Sequence, residues 1–159
     1  MSISLQEFNN ITATYNGAIL YKPLPGEIDY TEPGFPMDLC PNRIVLPNNR
    51  NEDPFAWANK CVGYFKKDIP YVLVPGTSFD IYGTRHGKGG GWYDRFLSET
   101  PATWLKIGVT ETSRLSFQPI AKKSWDQVVD WILAWDGNVW NIYNVTPSLL
   151  RPLTSPCPR

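Results

Sequence analysis

Tyr71-Val72-Leu73-Val74-Pro75-Gly76-Thr77-Ser78-Phe79-Asp80, followed by Gly83-Thr84-Arg85-His86-Gly87-Lys88-Gly89-Gly90-Gly91-Trp92-Tyr93-Asp94-Arg95-Phe96-Leu97, is the stretch that decides the fold. Tyr71 to Val74 is an unbroken apolar run of strand length, the pattern of a buried strand. It runs into Pro75-Gly76 and then a loop in which Gly87, Gly89, Gly90 and Gly91 cluster. A helix is predicted from about Gly91 to Ser98. Residues without side chains let backbone N–H groups turn toward one point and let a ligand come close. The start of a helix adds a positive end, and Arg85 and Lys88 add two cations. Together these make a phosphate site. The plain alternative, a glycine loop with no ligand, leaves the two cations and the strand–loop–helix context unexplained.

Outward from this stretch, strand and helix signals alternate. Ser4-Leu5-Gln6-Glu7 is a capping box opening a helix over about Leu5 to Thr14. Ala18 to Tyr21 reads as a short strand, residues 22–42 as a proline-rich loop, and Arg43 to Leu46 as a second strand closed by Pro47 and an Asn-rich turn. Asp53-Pro54 is a cap and first-turn pair, predicting a helix to about Lys67. Leu105 to Val109 is a further strand. Ser124-Trp125-Asp126-Gln127 has the form of a second capping box, so a helix is expected there with Val128, Val129, Ile132 and Leu133 as its apolar stripe. Asp136-Gly137 turns the chain into a last strand, Val139 to Val145, and a proline-rich tail begins at about Pro147. The expectation is a single α/β domain spanning residues 1–159, three-layered (α/β/α), with a largely parallel sheet.

Fifteen basic and fifteen acidic residues cancel among the 159. A neutral chain offers no general field for nucleic acid or an anionic membrane, so an anion site must be built locally. Cys40, Cys61 and Cys157 are odd in number and far apart, which argues against a disulfide framework or a structural zinc. The N-terminus lacks the marks of a signal peptide and no apolar run is long enough to span a bilayer. A reducing, cytoplasmic location is the expectation. The sequence does not fix the oligomeric state, and a homo-oligomer is compatible with it.

The glycine-rich segment closely resembles the signature of the 5-formyltetrahydrofolate cyclo-ligases (5,10-methenyltetrahydrofolate synthetases): VPG-x-x-FD, then G-x-R-x-G-x-G-x-G-[YW]-YD-R-[FY]-L. It does not resemble a Walker loop, which needs GK[ST], nor a Rossmann fingerprint. Ala18 to Asp29, with Glu27-Ile28, is similar to the family's first strand and P-x-x-x-E-[VI] segment. Ile107-Gly108-Val109 and Trp125-Asp126-Gln127-Val128-Val129-Asp130 are similar to its later strand and its D-x-x-x-D segment. The resemblance implies a cyclo-ligase-like (NagB/RpiA-type) fold. It also implies ATP-dependent closure of 5-formyltetrahydrofolate to 5,10-methenyltetrahydrofolate with Mg²⁺. By residue, it implies nucleotide and phosphate contacts from Arg85, Gly87, Lys88, Gly89, Gly90, Gly91, Trp92, Tyr93 and Asp94, with Arg85 and Tyr93 as the catalytic pair if the protein is active. It places Tyr21, Glu27 and Phe79 at the substrate pocket and Asp126 or Asp130 at the metal. The family's long basic N-terminal helix has no counterpart among the residues before Gly17, and Pro47 to Pro70 leaves little room for its folate-pocket segment.

Single residues carry competing readings. His86, the one histidine, reads as a loop residue beside the phosphates rather than a catalyst. Trp92 either stacks on a base or packs. Asp126 and Asp130 either bind metal or serve as helix-start and solvated charges. Trp57, Trp104, Trp131 and Trp135 read as core, and Lys122 and Lys123 as solvated. Two functions follow. One is a non-catalytic nucleotide binder that senses or sequesters an adenine nucleotide or nucleotide signal. Its analogy is with compact enzyme folds among phage proteins that soak up host immune signals, which would make this a viral anti-defence sponge. The other is an active ATP-dependent cyclo-ligase with a folate substrate.

Overall fold

In the computed structural model, which describes residues 4–87 and 91–145, the chain forms a mixed α/β structure. The elements in order are α1 (Leu5–Thr12), β1 (Gly17–Tyr21), β2 (Arg43–Leu46), α2 (Pro54–Tyr64), β3 (Pro70–Pro75), β4 (Ser78–Asp80), β5 (Arg85–His86), α3 (Trp92–Ser98), β6 (Leu105–Glu111), β7 (Leu115–Ser116), β8 (Trp131–Trp135) and β9 (Trp140–Asn144). A six-stranded sheet has the order β2-β1-β3-β6-β8-β9, and β4, β5 and β7 make a second, three-stranded one. Every neighbouring pair in the large sheet is parallel except β8 and β9, which form an antiparallel hairpin. Lys88, Gly89, Gly90, the tail from Thr146 and Cys157 lie outside the described residues.

The local signals explain most of this. Ser4 and Glu7 make both legs of the capping box that opens α1. Asp53 caps α2 by accepting from the Phe55 N–H (2.9 Å), with Pro54 in the first turn. β1 and β3 are buried along their whole length, as expected where helices and loops cover both faces of a parallel sheet. Register puts Leu73, Ile107 and Trp131 on one face. The edge-to-face contact of Phe8 with Trp131 (5.5 Å) seats α1 there. Phe65, at the end of α2, packs under Gly17 on the opposite face, and α3 packs against α2. Cys40 and Cys61 are free, and burial pushes the Cys61 thiol up to about 12, so it stays an inert neutral group.

The helix predicted from Ser124 does not form. Asp126 closes a turn instead: its Oδ2 accepts from the Lys123 N–H (2.9 Å) and its own N–H donates to Lys123 O (3.0 Å). Trp131 to Trp135, which includes two residues of the expected stripe, is the strand β8, flanked by β6 and β9. An interior strand needs apolar residues on both faces, and a five-residue run of that kind is indistinguishable from a helix stripe until its neighbours are known. Asp126 and Asp130 therefore do not share a helix face. Asp130 braces the sheet, its carboxylate accepting from the Lys106 N–H (2.9 Å), and burial raises its pKa.

The VPG-x-x-FD segment supplies β4, the middle strand of the small sheet, which pairs with β5 on one side and β7 on the other. Phe79 is fully buried, with its ring wedged against Gly76 and Gly108. A Cβ on Gly108 would stand 2.5 Å from the ring and one on Gly76 2.9 Å. Gly108→Ala is therefore expected to push Phe79 from its site and cost about 1–3 kcal/mol, the size of core overpacking. A urea midpoint unchanged from wild type would show that the ring has room to yield.

Candidate functional site

The sheet order reverses at β1: the chain continues to β2 on one side and to β3 on the other. In open parallel sheets such a switch leaves a crevice beyond the carboxyl ends of the strands, where ligands bind. Pro75 ends β3 there. A cavity of about 430 Å³ opens near it, walled by Arg50, Arg85 to Gly87, Gly91 to Asp94, Ala121 to Lys123, Trp125 and Asp126. Its size falls within the roughly 300–1,000 Å³ of small-molecule sites.

Arg85 is the buried cation of the cavity, with 7% of its surface exposed. Its Nε donates to Pro75 O (2.9 Å), Nη1 lies 3.9 Å from Asp94 Oδ1, and the guanidinium sits 5.5 Å from the centre of the Tyr93 ring. The Asp94 distance is too long for a hydrogen bond. Nη1 and Nη2 thus have no hydrogen-bond acceptor among the described residues. Burial lowers the Arg85 pKa, while Asp94, Tyr93 and Glu27 oppose the shift. A Cβ on Gly87 would fall 2.5 Å from Nη2, so glycine is the residue that lets the guanidinium in. Gly91 has φ 65°, a left-handed conformation suited to glycine, and precedes the first turn of α3.

The residues around Arg85 are held from several elements. Asp94 Oδ1 accepts from the Gln127 N–H (2.9 Å). Burial raises the Asp94 pKa, the Gln127 N–H and Arg85 pull it back, and Asp126 raises it further. Tyr93 is 1% exposed, its hydroxyl is buried with no hydrogen-bond partner among the described residues, and burial drives its pKa up. Trp92 packs: it stacks on Phe96 (5.7 Å) and its Nε1 donates to Glu52 O (2.8 Å). His86 Nε2–H donates to Ala121 O (2.7 Å), tying β5 to the opposite wall.

Tyr21, Glu27 and Phe79 do not line the cavity. The Tyr21 hydroxyl donates to Ile28 O (2.7 Å). The Glu27 carboxylate, 1% exposed, accepts from the Leu24 N–H (2.8 Å) and pairs with Arg50 (3.2 Å). Four cavity residues escape sequence reasoning. Arg50 sits in an Asn-rich turn, and nothing in the sequence ties it to Glu27, 23 residues away. Lys122 and Lys123 read as solvated but stand on the wall, and Trp125, 62% exposed, carries the Lys123 ammonium over its ring (5.4 Å). Among the described residues, no three His, Cys, Asp or Glu side chains gather into a metal cage. A Mg²⁺ that rides on phosphates needs only one or two carboxylates. Asp94 and Asp126 face the cavity and Asp130 does not.

Comparison with known proteins bears on the fold and the family. Two solved structures share the architecture. The 5,10-methenyltetrahydrofolate synthetase of Aquifex aeolicus aligns over 92% of this chain and 87% of its own, at 18% identity and a TM-score of 0.52. That of Mycoplasma pneumoniae aligns over 80% of each chain, at 16% identity and a TM-score of 0.51. No curated protein matches the sequence. The model of the 5-formyltetrahydrofolate cyclo-ligase family matches residues 54–133, from the first turn of α2 into β8. That span is half of the chain and contains Arg85, Gly87, Tyr93 and Asp94 of the cavity wall. The chain belongs to the 5-formyltetrahydrofolate cyclo-ligase family.

Proposed function

We propose that this protein holds a nucleotide in the Arg85 cavity, with its phosphates against Arg85, Gly87 and Gly91, and that it acts by binding rather than by closing 5-formyltetrahydrofolate. The observation that carries binding is the Arg85 guanidinium, buried at the cavity wall with Nη1 and Nη2 lacking acceptors among the described residues. Buried charged donors are costly to leave unpaired, and a phosphate is the ligand that a planar guanidinium fits best. Lys122 and Lys123 add positive charge on the facing loop. Lys88, Gly89 and Gly90 belong to the same reading by sequence. A Mg²⁺ bound with the nucleotide would neutralise phosphate charge, and Asp94 and Asp126 are the residues to hold it.

The binding reading is favoured over catalysis by the substrate side. Tyr21, Glu27 and Phe79, which the family resemblance assigns to the folate pocket, are each sealed by packing or by partners within the chain. Ground-state binding of phosphates survives where a positioned co-substrate is missing. A cytoplasmic sensor or sponge for an adenine nucleotide or nucleotide signal fits this division. Two measurements test it. The melting temperature is expected to rise with ATP, ADP or a cyclic nucleotide at millimolar concentration. With 5-formyltetrahydrofolate, ATP and Mg²⁺, no methenyl absorbance is expected to develop. Turnover at roughly 1 s⁻¹ or more, the ordinary enzyme range, would return the protein to active cyclo-ligase chemistry.

A further inference from the structure

Arg50 lies outside the stretch matched by the family model, yet it reaches the same cavity. Its guanidinium stands 5.3 Å from the centre of the Tyr93 ring, and Arg85 stands 5.5 Å from the same ring. Arg50 is also 5.9 Å from the Trp92 ring. Two aromatic faces and the Glu27 carboxylate therefore fix its position. Glu27 takes one amino group of the fork, at 3.2 Å. The other donors have no hydrogen-bond partner among the described residues, and the side chain is 26% exposed toward the cavity. A guanidinium carries five N–H donors.

A second feature points to a ligand. The hydroxyl of Tyr93, the residue whose ring both guanidiniums approach, is buried and has no hydrogen-bond partner among the described residues. Buried hydroxyls in native proteins are nearly always paired. Two like-charged guanidiniums about one ring also repel, and Arg50 adds to the lowering of the Arg85 pKa. An anion between them would relieve the repulsion and take the idle donors of all three groups.

We infer that Arg50 is a second anion-binding arginine of this cavity, which with Arg85 and the Tyr93 hydroxyl clamps the phosphate chain of a nucleotide polyphosphate. The inference rests on the nucleotide reading above and names the part of the ligand that Arg50 grips. Glu27 then keeps the fork aimed at the cavity when no ligand is present. The competing role is a brace, with Arg50 merely pinning the residues 47–53 turn to the residues 24–28 turn. A brace would lower the affinity for every ligand alike, whatever its phosphate number.

Calorimetry on the full chain with ATP, AMP and inorganic tripolyphosphate separates the two. Arg50→Gln is expected to weaken ATP and tripolyphosphate by about tenfold or more, the effect of losing a charge-assisted hydrogen bond, and AMP by much less. Arg50→Lys, which keeps the charge and the packing stem, is expected to regain part of the loss and also serves if the glutamine variant folds poorly. Wild-type affinity for ATP and tripolyphosphate in both variants would overturn the inference, as would an equal loss for AMP and ATP. Tripolyphosphate binding that needs Arg50, without binding of any nucleotide, would keep the clamp and remove the nucleotide reading. A wild-type protein that binds none of the three would end both.

Discussion

Asp80→Ala is expected to cost this protein about 3–5 kcal/mol, a large part of the stability of an ordinary domain. Asp80 is fully buried. Its Oδ1 accepts from the Tyr82 and Thr84 N–H groups (2.9 Å each), and its Oδ2 from the Ile120 N–H (2.9 Å). One carboxylate thus closes the β4–β5 turn and ties it to the segment after β7. Alanine would take the acceptor from one buried and two half-buried backbone donors, and each such group left unpaired costs up to about 1–3 kcal/mol. Local opening would recover part of that by letting water in, which is why the sum is not simply additive. Asp80→Asn is expected to fall between, because its amide keeps an acceptor for two N–H groups but turns a donor toward the third. Thermal melts check it: a drop on the order of 10 °C or more is expected for alanine. A drop of only a degree or two would mean that the turn holds without its carboxylate.

That result bears on how the signature should be read. The final Asp of VPG-x-x-FD, Asp80, has no role that the sequence alone assigns. In the structure it is scaffold: it holds the turn between β4 and β5, and Arg85 follows that turn at the start of β5. Strands β1 and β3 of the large sheet were legible because Ala18 to Tyr21 and Tyr71 to Val74 are uninterrupted apolar runs, which a sheet interior demands, and β6 because Leu105, Ile107 and Val109 alternate around Lys106 and Gly108. The caps at Ser4 and Asp53 were legible because each is a local hydrogen bond. Ser124 has the same local form and fails, because an interior strand begins at Trp131 and tertiary pairing outweighs a capping preference of about 1 kcal/mol. The small sheet escaped notice because its strands have only two or three residues, too few to show a period. Arg85, Tyr93 and Asp94 were found through a motif. Arg50, Lys122, Lys123 and Trp125 belong to no periodic or motif pattern, and only the fold brings them to one wall.

Arg85→Ala is expected to have two separable effects, on binding and on pH-dependent stability. For binding, the loss of its charge-assisted hydrogen bonds to phosphate is worth about 1.5–3 kcal/mol, roughly a tenfold to 150-fold weaker nucleotide. For stability, Pro75 O loses its donor and Asp94 loses its nearby cation. Asp94 already has a raised pKa in the folded protein, since burial outweighs the help of Gln127 and Arg85. A carboxyl of raised pKa stabilises the fold while protonated, and that contribution is lost as pH rises through the folded-state value. Without Arg85 the pKa moves higher still, so the loss extends to higher pH. Urea midpoints taken between about pH 4 and 8 should therefore show the variant close to wild type at the acid end and falling behind as Asp94 ionises. The double variant Arg85→Ala, Asp94→Asn carries no unpaired carboxylate and is expected to lose that pH dependence. Its nucleotide affinity is expected to stay low, because the missing guanidinium, not the stability of the loop, is what held the phosphate. Recovery of affinity together with stability in the double variant would mean that Arg85 serves the site only by neutralising Asp94.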